Sequence, residues 1–248
     1  LERFKPKPED ATRVSVESLR EVVSAIFEKM GVSGEDANEA ADVLTMATQR
    51  LLLSGQPLAQ EHDVSDITRD FPTWGNTNPR QEDYQDLLSG EFVDWRLPVG
   101  GLVNRPMSFS LEELKRLPQR TQITMHICEQ GWSAIGQWTG TPLLEVLRAA
   151  GDVTDEARYV VVDTYDGWYE GYDMFDVVHP QTILAYGLNG TDLPLGNGAP
   201  VRLRVERYCG YKNLKFLKSI NVVSSMAGIR RGTGGINSDN DWHWYAGA

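Results

Sequence analysis

TQITMHICEQGWSAIGQWTG, residues 121–140, opens as a strand and then changes character. Its first eight residues alternate in polarity, the period-two pattern of a half-buried strand. Cys128 falls at the strand's end, and a glycine-bearing turn follows. A cysteine placed there can present its sulfur into a cavity, and thiolate is a soft metal ligand. The plainer alternative is a small buried hydrophobe. His126 lies two residues away on the same strand face, as a proton relay or as core. Trp132 and Ser133 follow the turn as pocket walls, and Glu129 as a wall or a solvated acid.

Working outward, short strands outnumber helices. Residues 94–103 read as a strand with a turn. Ser110 and Glu113 stand at capping-box spacing and start a short helix. Residues 141–151 form another, with Pro142 near its start and Gly151 at its end. Strand patterns recur at 157–167, 168–178, 199–208 and 214–224. Asn189-Gly190 is a hairpin turn signal. Residues 54–90 read as loop, with 73–84 an irregular surface or pocket rim. Trp242, Trp244 and Tyr245 in the glycine-rich tail are expected to tuck onto the body.

At the other end, residues 1–13 are a polar leader. Val16, Leu19, Val22, Val23, Ile26 and Phe27 recur at helical spacing, and Ser33 caps a second helix over 33–53. The pattern predicts an α+β fold. One domain covers residues 54–248, preceded over 1–53 by the leader and a helical hairpin.

The chain of 248 residues carries a formal net charge of −11, which argues against nucleic-acid and anionic-membrane partners. No apolar run reaches the roughly 18–20 residues that span a bilayer. The first residue is Leu1, and an export address is expected to have preceded it. Cys128 and Cys209 allow at most one disulfide, and neither sits in the CxxC spacing of a thiolate zinc site. A packed free thiol is the expectation for Cys209.

The basic residues are clustered. Residues 201–218 hold Arg202, Arg204, Arg207, Lys212, Lys215 and Lys218 against the single acid Glu206. A cationic island in an acidic chain suits a small anion, most simply a phosphate. Within it Arg204 and Arg207 alternate with valine, as a solvated face or an anion site. Lys212 and Lys218 are expected at the surface. Trp168, Tyr169 and Tyr172 form an aromatic cluster, as site rim or as core.

Four stretches, 94–118, 128–143, 179–205 and 210–220, together resemble the molybdopterin-binding domain of the sulfite oxidase family. The resemblance is nearest its periplasmic methionine-sulfoxide reductase catalytic-subunit branch. It runs from about residue 45 to the C-terminus and leaves residues 1–44 unexplained. It implies that Cys128 ligates molybdenum, the metal of a molybdopterin in its mononucleotide-free form. It implies that Asn197, Arg202 and Lys215 contact this cofactor, with Asn213 offering a backbone N–H near its phosphate. Thr164 matches a position that touches the pterin. His179 is a second pterin contact or a satisfied structural histidine. Asn76 and Asn78 are further candidates. Ile127 departs from the family, where many relatives carry Asp before the cysteine.

The resemblance further implies an oxidoreductase that transfers an oxygen atom, reducing S- or N-oxides or oxidising sulfite. Sulfite calls for converging arginines; no arginine is evident near Cys128 in the sequence, which favours a neutral oxide. No CxxCH haem motif is present, so electrons come from a membrane haem subunit or a soluble cytochrome. A monomer in the periplasm is expected. A non-catalytic anion- or cofactor-binding module is the competing reading. A cysteine hydrolase fits poorly, because His126 and Cys128 are near neighbours on one strand.

Overall fold

A computed structural model describes residues 16–41, 58–245 and 247. The leader, the second helix beyond 41 and the boundary expected at 53–54 lie outside the described residues. What is described falls into two compact units.

The first unit holds α1 (Val16–Lys29) and α2, described over 34–41. The Ser33 hydroxyl accepts from the Asp36 backbone N–H at 3.3 Å, the expected cap. Ser24 Oγ donates to Asn38 Oδ1 at 3.0 Å, tying the two helices into the expected hairpin. No helix of the described residues is long and apolar enough to cross a membrane.

The second unit is α+β. Its strands are β1 (Arg96–Gly101), β2 (Met107–Ser110), β3 (Arg120–Ile127), β4 (Ser133–Pro142) and β5 (Tyr159–Thr164). They continue with β6 (Tyr169–Asp173), β7 (Ile183–Leu188), β8 (Thr191–Asp192), β9 (Arg202–Arg204) and β10 (Leu217–Val223). One sheet is ordered β2-β1-β10-β5-β6, with β1 parallel to β10. The other is ordered β3-β4-β7-β8, and β9 also pairs with β7. Ser110 caps its helix through both arms of a capping box. Asn189 and Gly190 both take positive φ, 52° and 81°, the pair needed for the β7–β8 hairpin.

Three local readings are corrected. Residues 54–90 contain a helix, α3 (Glu82–Ser89), which buries Tyr84 and lets its hydroxyl donate to Ala199 O at 2.7 Å. The strand at 168–178 stops at Asp173, whose side chain accepts from Asp176 N and starts a one-turn helix, Met174–Val177. The strand at 199–208 is three residues long.

The opening stretch is a β-hairpin, and its second arm, β4, is a strand that periodicity does not predict. Gly136 and Gly140 disfavour a strand on composition alone. They are there because other parts press on it. A Cβ on Gly140 would lie 2.7 Å from Ala185 Cα and closer still to Leu184 O, both on β7. One on Gly136 would meet the Phe71 ring at 2.9 Å. Gly140→Ala is expected to cost roughly 1–3 kcal/mol, as overpacking does; a chemical-denaturation midpoint matching the parent would contradict this.

Trp138 of β4 packs with Ile183, Ala185, Leu188 and Leu193, and Phe71 closes the cluster. Along the outer side of β3 runs the segment at 59–62. His62 N donates to Ile123 O at 2.9 Å, and Glu61 bridges Thr124. The buried Gln181 amide holds this segment by exchanging two bonds with Ala59, 2.7 and 3.0 Å long.

Candidate active site

Cys128 sits in the turn between β3 and β4. Its N–H donates to Trp132 O at 2.9 Å and its carbonyl accepts from Gly131 N at 3.0 Å. The turn delivers the sulfur to an open cleft. Five stretches of chain wall it: 71–76, 126–132, 166–168, 196–202 and 210–215. Cys128, Asn197, Arg202, Asn213 and Lys215 all line this one cleft. Burial, before the neighbouring Glu129, pushes the Cys128 thiol up from its usual pKa.

Two cations line the cleft, and among the described residues neither forms a salt bridge with a carboxylate. The buried Arg202 gives Nη1 to Asn197 O at 2.9 Å and Nη2 to Asn213 O at 2.8 Å. Its Nε is buried and has no partner. Burial first, and Arg204 next, lower its pKa to about 9. Lys215 Nζ donates to Trp74 O at 2.8 Å, to Gly196 O at 3.1 Å and to Asn76 O. Burial, then Arg202, lowers its pKa to about 8. A buried guanidinium N–H without an acceptor, on a cation that shares the cleft with Lys215, is costly in isolation and fits an anion such as a phosphate.

Behind Cys128 lies a second layer. His126 Nδ1 is 2.6 Å from Arg204 Nη1. Arg204 is itself bound to Glu206, through Nε at 3.2 Å and through Nη2. Gln122 Nε2 adds a bond to Glu206 at 2.7 Å. Burial and then Arg204 push the His126 pKa down to about 2, so its ring is neutral. Both Arg202 and Arg204 stack over Trp138, 5.1 and 4.5 Å from the ring centroid.

The mouth is aromatic. Trp74 is 57 % exposed and Trp168 39 % exposed; Trp132 and Tyr211 line the wall with them. Trp242 packs edge-on to Tyr211 at 5.0 Å, while Trp244 Nε1 donates to Gly171 O and Gly234 O, both at 3.1 Å. Tyr245 donates to Asp173 Oδ2 at 2.8 Å.

Other candidates lie elsewhere. Thr164 spends its hydroxyl on Asp166 Oδ1 at 2.6 Å and faces a neighbouring depression. His179 is buried outside the cleft, its Nδ1 accepting from Gln181 N at 3.2 Å. The Asn213 N–H is already given to Gly210 O at 2.9 Å, so it is not free for a phosphate. Asn213 instead holds Arg202 through its carbonyl. Asn76 lines the cleft, whereas Asn78 Oδ1 is occupied by Gln85 Nε2 at 2.8 Å. Ser133 is exposed and outside the lining.

Several charges are corrected. Lys212 is not at the surface: it is buried against Glu170, 2.7 Å away, under Tyr172, Tyr208 and Trp244. Arg204 and Arg207 are not a solvated face; they pair with Glu206 and Asp176. Lys218 does lie at the surface, paired with Asp83. Tyr169 and Tyr172 are core, and of that cluster Trp168 alone rims the cleft. Both cysteines are free thiols, so the disulfide the count allows is not formed. Arg202 shares the cleft with Cys128, which corrects the expectation that no arginine lies near it. Phe71, Asp166 and Tyr211 are lining residues that no linear pattern announces.

Residues 86–228 match the family described as the oxidoreductase molybdopterin binding domain. A protein of Azospira oryzae described as a protein-methionine-sulfoxide reductase subunit, YedZ1, is 36% identical over 216 residues, 87% of this chain and 78% of its own. The protein-methionine-sulfoxide reductase catalytic subunit MsrP of Xanthomonas axonopodis pv. citri is 33% identical over 224 residues, 82% of this chain and 68% of its own. Among solved structures, the sulfane dehydrogenase SoxCD of Paracoccus pantotrophus aligns with a TM-score of 0.50 and 25% identity, over 53% of this chain. The match spans 39% of that chain, well under half its length. These matches show that the chain belongs to the oxidoreductase molybdopterin-binding family, with molybdenum and molybdopterin as its cofactor.

Proposed function

We propose that the protein reduces S-oxides by oxygen-atom transfer at a molybdenum centre whose protein ligand is the Cys128 thiolate. The observation that carries this is one cleft holding the Cys128 sulfur, Arg202 with its unsatisfied Nε and Lys215. Among the described residues no three His, Cys, Asp or Glu side chains could hold a metal together. Cys128 would hold the metal together with the sulfurs of the bound cofactor. A metal held there would require the sulfur as thiolate.

When bound, the cofactor supplies a two-electron couple at the metal. Arg202 and Lys215 hold its phosphate: the orphan Nε–H and the ammonium gain an anionic acceptor. Asn197 and Asn213 aim the guanidinium through their carbonyls. Trp74, Trp132 and Trp168 take the apolar arms of an S-oxide and keep water from the mouth. In the net reaction the S–O bond breaks, sulfur becomes a thioether, and two electrons and two protons carry the oxygen away as water. The electrons come from an external donor, a membrane haem subunit or a cytochrome, in the periplasm.

Sulfite oxidation is the second reading, favoured by the two cations if they face substrate and not phosphate. Elemental analysis with an artificial-donor assay separates the readings. Molybdenum with turnover of S-oxides supports the first; turnover of sulfite alone supports the second; no molybdenum and no turnover leaves a binding module. Arg202→Ala is expected to lower molybdenum and pterin content by roughly tenfold or more, since charge-assisted bonds contribute about 1.5–3 kcal/mol each. Occupancy equal to the parent's would remove the phosphate role.

A further inference from the structure

We propose that His126 is a fixed neutral hydrogen-bond donor whose Nε2–H orients the oxide oxygen of the substrate beside Cys128, with Arg204 and Glu206 as its positioning residues. This rests on the S-oxide reading above and adds the group that recognises the oxygen.

Arginine has donors and no acceptor. Contact at 2.6 Å between Arg204 Nη1 and His126 Nδ1 therefore requires Nδ1 to be the acceptor. The one ring proton then sits on Nε2. Glu206 takes two other donors of Arg204 and fixes the guanidinium plane; both side chains are buried, 1 % and 0 % exposed. The imidazole is held between Trp132, 5.5 Å away, and Phe71, 6.1 Å away. It cannot turn over without breaking the Arg204 contact.

The other end of the ring points to the cleft. A Cβ on the lining residue Gly210 would lie 3.0 Å from His126 Nε2 and 3.0 Å from Glu129 Oε2. A side chain at 210 would crowd this nitrogen, and glycine lets the chain approach it. No hydrogen bond to Nε2 is found among the described residues. A donor that is 7 % exposed and lacks an acceptor lowers the free energy of a bound oxygen more than a surface donor would. Because the donor is neutral and the Arg204 charge is met by Glu206, it suits the dipolar oxygen of an S-oxide. His126 lies on the buried face of β3, two residues before the turn that carries Cys128, and both line the cleft.

Two measurements test this. Nitrogen-15 NMR of the loaded protein labelled at its four histidines reads the tautomer directly. An unprotonated Nδ1 and a protonated Nε2 at His126 are expected, and the reverse pattern overturns the proposal. The second is binding of dimethyl sulfoxide to oxidised, metal-loaded protein, followed by tryptophan fluorescence with no electron donor present. His126→Leu is expected to weaken binding about threefold to tenfold, the span of one hydrogen bond. His126→Gln can accept from Arg204 and still donate forward, and is expected to stay within about twofold. Molybdenum content is measured alongside and is expected to stay at the parent level. Leucine binding as tightly as the parent overturns the role of His126. A parent that neither binds nor reduces any S-oxide, yet shows the expected tautomer, overturns the S-oxide reading instead.

Discussion

Cys128→Ser is expected to lower S-oxide turnover more than about 100-fold, beyond the ten- to hundredfold typical of losses one shell out from a metal. The substitution is nearly isosteric, and the turn is held by backbone bonds to Trp132 and Gly131 that it does not touch. The thiol's own polar contact is weak, 3.6 Å to Glu129 Oε2. Fold should survive, and circular dichroism should match the parent. A serine alkoxide is a harder and more basic ligand than thiolate, so under the proposed ligation a metal held there would lose its soft donor. Turnover at the parent rate, with molybdenum retained, would refute the ligand assignment.

Lys212→Met is expected to cost about 3–5 kcal/mol, the penalty for leaving one half of a buried pair unmatched. The ammonium lies 2.7 Å from Glu170 Oε2 and 3.2 Å from Gly171 O. Asn237 Nδ2 supports the other carboxylate oxygen at 2.8 Å. At this chain length the loss lowers the melting temperature by roughly 6–20 °C. Adding Glu170→Gln removes the stranded charge, and the double variant should recover most of the loss. The pair also anchors the 209–215 segment, because the Lys212 carbonyl accepts from the Tyr172 hydroxyl at 2.7 Å. A single variant within about 1 kcal/mol of the parent would show that the pair is dispensable.

Much of the fold is legible where local chemistry decides it. The Ser110 box, the Asn189-Gly190 hairpin and the alternation of β3 depend on neighbours in sequence, and all are present. β4 is illegible for the opposite reason. Its glycines answer to β7 and Phe71, which are distant in the chain. The site divides the same way. Cys128 at a strand end and the basic run at 201–218 mark the cleft. Which cations serve it depends on pairing that only the fold reveals. Lys212 finds Glu170 and Arg207 finds Asp176, whereas among the described residues Arg202 and Lys215 hydrogen-bond to backbone carbonyls. His179 reads as a ligand-like histidine beside a proline, yet its ring answers a neighbouring backbone N–H.

The segment at 59–62 occupies the outermost flank of the β3 sheet, where a row of backbone groups would otherwise stand open to any foreign strand. Met125 and Ile127, each 37 % exposed, lie on that flank. Release of the Gln181 clasp, as in Gln181→Leu, would bare a sticky margin. Such a variant should keep the Cys128 cleft yet self-associate more strongly as concentration rises, because the Gln181 amide joins the His62 and Glu61 contacts in holding this strip of polypeptide as a guard.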